Sequence, residues 1–312
     1  MKNRKIDVII PTYRPDEKLD KNLRMLRRQT VTPDRIILIN TEEALFHSGE
    51  FEKLPQGELY HITKPEFDHG GTRNRAAAMC DGDIIVLLTQ DAIPADEHLI
   101  EKLTEPFDDE EVCAAYGRQM ADWKDNPVEA YTRIFNYPKK SRVKSKEDLP
   151  VLGIKTFFCS NVCAAYRKDV YDDLGGFPLH TIFNEDMIFA SRLIEAGKKI
   201  AYAADAKVWH WHNYTAKEQL KRNFDLAVSQ ADSGGLFLKV KSESEGIRLV
   251  KKTLRYFMKK KQYALIPKII LQNGAKYIGY KLGQNYKKLP KKLILKISLN
   301  PTYWMTKDGG EF

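Results

Sequence analysis

No stretch of about 18 consecutive apolar residues exists in this chain of 312 residues, so no helix is expected to cross a bilayer. The start, MKNRKIDVIIP, has no apolar signal core and no small-residue cleavage site, which points to a cytoplasmic protein. Cysteine is scarce and unpaired. Cys80, Cys113, Cys159 and Cys163 form no C-x-x-C pair and have no histidine at zinc spacing, and each sits among apolar neighbours as a small core residue. The first strand, IDVIIPTY, ends in PTYRP without a glycine. That excludes the G-x-G-x-x-G turn of a hydride-transfer enzyme and also a P-loop.

Acidic residues are nearly missing from one end. Residues 236–312 hold 18 Lys or Arg against 4 Asp or Glu, and the preceding 235 residues hold 33 against 38. The basic character therefore belongs to the tail, and a nucleic-acid-binding reading of the whole chain fails. With 43% hydrophobic and 30% charged residues the composition is globular.

What is present reads as two regions, 1–235 and 236–312. In the first, short β-branched runs alternate with helical patterns: strands at 6–13, 34–40, 57–63 and 83–90, a helix at 18–29 with Leu19, Leu23 and Leu26 on one face, and an Ala-rich helix at 71–82. This alternation predicts an α/β fold with a mostly parallel sheet, whose ligands bind beyond the carboxyl ends of the strands. Pro11–Arg14, Asn40–Glu42 and Gln90–Asp91 fall on that rim. Further along, 156–177 reads as a strand and a helix ended by Gly175-Gly176. Residues 184–197 read as a helix with an acidic first turn, and 201–215 as a short strand pair leading into a His-rich loop. The tail reads as amphipathic basic helices, with Ile247, Val250, Leu254 and Phe257 on one face and breaks at Pro267 and Pro290.

Four sites carry candidate chemistry. Asp91, at the end of IIVLLTQDA, is a turn former when taken alone. His210 and His212 in H-W-H point the same way if extended, so both rings could meet one ion with Asp91. One carboxylate, imidazole and phosphate oxygens suit Mg²⁺ or Mn²⁺. Glu185-Asp186 at a helix start serve either as dipole-complementing surface acids or as a general base with a supporting partner. FDHGGTRN places two glycines before a helix, where backbone N–H groups suit an anion and Arg73 and Arg75 add charge; a Gly-rich turn capped by Thr72 explains the same residues equally well.

The series VIIPTYRP, ILINTEE, FDHGGTRNRAA, GDIIVLLTQDAIP, CSNVCAAYRKDVYDDLGGF, NEDMIFASRL and AGKKIAYAADAKVWHWHNYT resembles family 2 glycosyltransferases of the GT-A fold, and most closely their bacterial rhamnosyltransferase branch. The resemblance spans roughly residues 5–230. It implies an inverting nucleotide-sugar transferase, moving L-rhamnose from dTDP-rhamnose to a lipid-linked bacterial surface polysaccharide, or another sugar from a UDP-hexose or UDP-N-acetylhexosamine. A non-catalytic sugar- or lipid-binding relative is the remaining alternative. By motif position it implies that Pro11, Thr12, Tyr13 and Asn40 line the nucleotide, with Asp68 and Arg73 near the base or pyrophosphate. Ser160 and Asn161 stand beside the donor sugar. Asp91, next to Gln90 in the donor site, holds the last position of an Asp-x-Asp metal motif whose first acid is Thr89 here, and His210 matches a metal-contacting histidine. Asp186 matches the base and Glu185 its support. The basic tail is expected on an anionic membrane surface at the inner face of the cell membrane, with a homodimer as an alternative use of its apolar residues and nucleic acid excluded.

Overall fold

The computed structural model describes residues 4–233 and 243–307. The division expected at 235/236 falls outside these residues. The chain forms two compact units, one of residues 1–122, 136–179 and 185–211, the other of 123–135, 180–184 and 212–312.

The first unit holds one nine-stranded sheet. Its strands are β1 Ile6–Tyr13, β2 Arg35–Thr41, β3 Gly57–Ile62, β4 Ile84–Leu88, β5 Ile93–Pro94, β6 Val112–Met120, β7 Arg142–Lys144, β8 Cys163–Arg167 and β9 Lys199–Trp209. They run in the order β3-β2-β1-β4-β8-β6-β9-β5, with β7 on β9. β1 pairs in parallel with β2 and β4, β2 with β3, and β6 with β9. β8 is antiparallel to both β4 and β6. Two reversals restore direction, so β1, β2, β3, β4, β6 and β9 all end on one rim, and β8 begins there.

The helices follow as α1 Glu17–Leu26, α2 His69–Ala77, α3 Leu99–Thr104, α4 Pro127–Asn136, α5 Leu149–Leu152, α6 Lys168–Asp173, α7 Glu185–Glu195, α8 Ala216–Asp232, α9 Glu243–Lys259, α10 Ile266–Gln284, α11 Lys291–Ile297 and α12 Pro301–Lys307. α1 starts at an Asp16 cap that accepts from the Lys18 N–H, and it buries Leu19, Leu23 and Leu26, as its spacing requires. Every residue of β4 is buried, the mark of a strand covered on both faces. Gly175 and Gly176 adopt positive φ and end the turn after α6.

Three local expectations are corrected. α2 begins at His69 because Asp68, not Thr72, caps it by accepting from the Gly71 N–H. The strand pair expected over 201–215 is one eleven-residue strand, β9, in which Ala204–Ala206 have no register partner on β6. On α9, Phe257 is buried, but Ile247 is exposed.

In the second unit the tail is helical, as expected. Pro267 opens α10 and Pro290 caps α11, where a missing N–H costs no helical hydrogen bond. α10 lies directly on α8: a Cβ added at Gly279 or Gly283 would run into the Leu220 or Phe224 carbonyl. Phe224, Val228, Ile182, Tyr286, Ile294 and Trp304 fill the core between these helices.

Candidate active site

The rim of the sheet gathers most of the singled-out residues because parallel strands end there. Thr12 Oγ1 donates to Asn40 Oδ1 at 3.1 Å, and Asn40 Nδ2 donates to Glu42 O at 3.0 Å and lies 3.1 Å from His61 Nδ1. Asn40 is fully buried, so its amide shapes the rim from beneath. Pro11 is half-buried and Tyr13 exposed. Gln90 and Tyr13 clamp the ends of β4 and β1 together: the Tyr13 N–H donates to Gln90 Oε1 at 2.9 Å, and Gln90 Nε2 donates back to Tyr13 O at 3.2 Å. The Thr89 N–H donates to Val162 O at 3.2 Å, which brings the Ser160–Val162 segment beside Asp91 at the end of β4.

Asn161 organises the acidic pair at the start of α7. Its backbone N–H donates to Asp186 Oδ2 at 3.1 Å, while its Nδ2 donates to Glu185 Oε1 at 3.2 Å. Asp186 Oδ1 accepts from the Met187 N–H at 2.7 Å. One side chain and one amide thus hold both acids, although adjacent helical residues point about 100° apart. Arg73 reaches in from α2, 3.4 Å from Glu185 Oε1, and donates to His69 O at 2.7 Å. Arg73 and Glu185 are both buried. Burial alone would raise the Glu185 carboxyl; the Arg73 and His69 charges and the Asn161 amide outweigh it and hold the carboxyl below its ordinary value. Asp186 moves the other way. Burial, then the neighbouring Glu185 charge, push its carboxyl well above the usual range, against the two backbone N–H donors. Two adjacent carboxyls driven apart in this way make one permanent anion and one proton acceptor. Arg73 stands against the acidic pair rather than on an open phosphate surface, and Asp68 is occupied as the cap of α2.

On the other side of the rim, His210 Nε2 lies 3.6 Å from Asp91 Oδ2. Two donor atoms about 2.1 Å from one ion at a right angle stand roughly 3 Å apart, so this pair has the spacing of metal ligands. Asp91, His210 and His212 make a group of side chains that could hold a metal ion. Carboxylate and imidazole donors fit Mg²⁺ or Mn²⁺, and the absence of thiolate argues against softer ions.

His210 reaches this place through an irregularity in β9. Gly117 pairs with Ala203, but the next residue, Arg118, pairs with Lys207. Three residues are skipped, an odd number, so every side chain beyond changes face. Gln119 then pairs with Val208, and His210, two residues on, shares its face. A Cβ at Gly117 would stand 2.8 Å from Ala206 O, so the bulge needs glycine opposite it. Gln119 and Ser160 join the site: Gln119 Oε1 lies 3.0 Å from His210 Nδ1, and Nε2 donates to Ser160 Oγ at 3.0 Å. Lys144 supports the same segment from below, donating to Lys155 O at 3.1 Å and Phe158 O at 2.5 Å, with burial pushing its amine down to about 7. Neither Gln119 nor Lys144 stands in a sequence motif. β6, which carries Gln119, is a run of small apolar residues without clean alternation.

Comparisons with known proteins bear on the family and the fold. The chain is 40% identical over 311 residues, 96% of each chain, to the O-antigen chain rhamnosyltransferase RfbN of Salmonella typhimurium. It is 38% identical over 306 residues, 95% of each, to the O-antigen chain rhamnosyltransferase WbaN of Salmonella anatum. Among solved structures it resembles the mannosyltransferase PcManGT from Pyrobaculum calidifontis in complex with GDP-Man and Mn²⁺, with a TM-score of 0.60 at 14% identity over 92% of this chain and 88% of that one. It also resembles S. aureus TarS in complex with UDP-GlcNAc, with a TM-score of 0.51 at 14% identity over 91% of each. These likenesses show the GT-A fold that the motif series implied. Residues 7–175 match the family model Glycosyl transferase family 2, and with full-length relatives at this identity the chain belongs to that family of nucleotide-sugar glycosyltransferases.

Proposed function

We propose that the protein transfers L-rhamnose from dTDP-rhamnose to a growing, lipid-linked bacterial surface polysaccharide, with inversion at the anomeric carbon. The observation that carries the choice of sugar is the full-length identity to two O-antigen chain rhamnosyltransferases. In this reading Asp186 takes the proton from the acceptor hydroxyl as it attacks, and Glu185, pinned by Arg73, keeps that carboxyl a good acceptor. Pro11, Thr12, Tyr13 and Asn40 shape the nucleotide pocket, with Asp68 and Arg73 behind it. Ser160 and Asn161 face the sugar. Asp91 and His210, with His212, hold the divalent ion, which when bound supplies charge neutralisation to the departing diphosphate. The test is a panel of dTDP-, UDP- and GDP-sugars with Mn²⁺ or Mg²⁺, read as release of nucleoside diphosphate. Turnover of dTDP-rhamnose at least tenfold above the others is the expected result, and preference for a UDP-sugar overturns the donor assignment.

We further propose that the enzyme works at the inner face of the cell membrane. Residues 246–307 carry 16 Lys or Arg and no Asp or Glu. α10 exposes Ile270, Leu271, Tyr277 and Ile278. This spacing of i, i+1, i+7 and i+8 forms one stripe on a helix. Lys259 at the end of α9 and Lys260, Lys261 and Tyr263 in the connection before α10 are exposed. An apolar stripe flanked only by cations fits an anionic lipid surface. Nucleic acid offers nothing to the aliphatic residues, and a second copy would bring like charge against like. The full-length protein is expected to float with vesicles containing phosphatidylglycerol and to stay behind with purely zwitterionic ones, and Leu271→Asp/Ile278→Asp should lose at least fivefold of the floated fraction. Flotation unchanged by the double substitution, or dimerisation lost with it, removes this face from the membrane.

A further inference from the structure

We propose that Gln119 is the positioning residue that makes His210 a ligand and ties the metal side of the site to the segment holding the base. It sits at the end of β6, 2% exposed, and its amide spans two partners. Oε1 faces His210 Nδ1 at 3.0 Å and Nε2 donates to Ser160 Oγ at 3.0 Å. Ser160 Oγ accepts from the amide nitrogen, and Oε1, which can only accept, meets an Nδ1 that carries the proton. With Oε1 on Nδ1–H, the atom left facing Asp91 is Nε2, 3.6 Å from Oδ2, with its lone pair available to an ion. A hydrogen bond of this kind on the far nitrogen fixes ring orientation and raises ligand basicity. The backbone adds a second restraint, since the His210 N–H donates to Met120 O at 2.9 Å.

The other end of the amide reaches the acid pair through one residue. Ser160 precedes Asn161, whose N–H and side chain hold Asp186 and Glu185. A continuous run of hydrogen bonds and one peptide unit therefore links His210 to Asp186 by way of Gln119. Gln119, His210 and Asn161 are buried, where such bonds weaken little by exchange with water. The role rests on the proposed metal reading of Asp91 and His210.

The test titrates Mn²⁺ into the full-length protein, with and without dTDP, and follows free Mn²⁺ by electron paramagnetic resonance. Gln119→Leu is expected to bind Mn²⁺ about 10- to 100-fold more weakly than the parent. Gln119→Glu keeps an acceptor for Nδ1–H and should return to within about threefold. Where the leucine variant melts early, Gln119→Asn, polar but too short to bridge, repeats the measurement without an apolar substitution. Parent-like Mn²⁺ binding in the leucine or asparagine variant overturns the role, as does equal weakening in the leucine and glutamate variants. A parent protein that takes up no Mn²⁺ in either condition removes the metal reading itself, which is a separate outcome.

Discussion

Asp186→Asn is expected to lower kcat by roughly two to four orders of magnitude, the range that a positioned general base contributes. Donor affinity, read by calorimetry with dTDP, should change by less than about threefold, because the substitution is nearly isosteric. The pH profile carries the sharper signature. Asp186 accepts a proton only when ionised, and burial followed by the Glu185 charge raises its carboxyl. Activity should therefore fall on the acid side along a limb well above the value near 4 of a free carboxylate. Parent-like turnover, or a limb at the ordinary carboxylate position, would give the proton to another group.

Arg73→Met should have the largest effect on stability. Arg73 and Glu185 are both buried and stand 3.4 Å apart. Removing one partner of a buried pair leaves an uncompensated charge, at a cost of about 3–5 kcal/mol. The sign with pH follows from Glu185. Its folded carboxyl is held below the ordinary 4.5, so the pair's contribution is present above that value and lost as pH falls through the folded one. The gap in denaturation midpoint between parent and variant should be widest near pH 7.5 and narrow below about pH 4.5 as Glu185 takes a proton. The double variant Arg73→Met/Glu185→Met should recover most of the loss. Equal midpoints for parent and single variant at pH 7.5 would mean that the charges are not coupled as the geometry requires.

The outer half of the sheet was legible because its information is local. β1, α1, β2 and β4 each carry their own periodicity, and Asp16 and Gly175-Gly176 mark their own ends. The acid pair and the H-W-H segment were legible because rare residue types cluster there. What the sequence hides is register between distant segments. β6 reads as small apolar residues, so Gln119 offers no pattern, and its partners come from β9 and from the segment before β8. The start of α2 was misplaced because a glycine pair mimics a turn, whereas the Asp68 cap draws both glycines into the helix. The face on which His210 emerges depends on pairing of Gly117 with Ala203 and of Arg118 with Lys207, which only the folded sheet defines.

That pairing sets an arithmetic for chain-length change. A length change between Ala203 and Lys207 that leaves Val208 opposite Gln119 only resizes the bulge, and His210 keeps its side. A one-residue deletion between Lys207 and His210 has no bulge to absorb it, so it would move His210 by one position along β6 and turn its side chain to the opposite face.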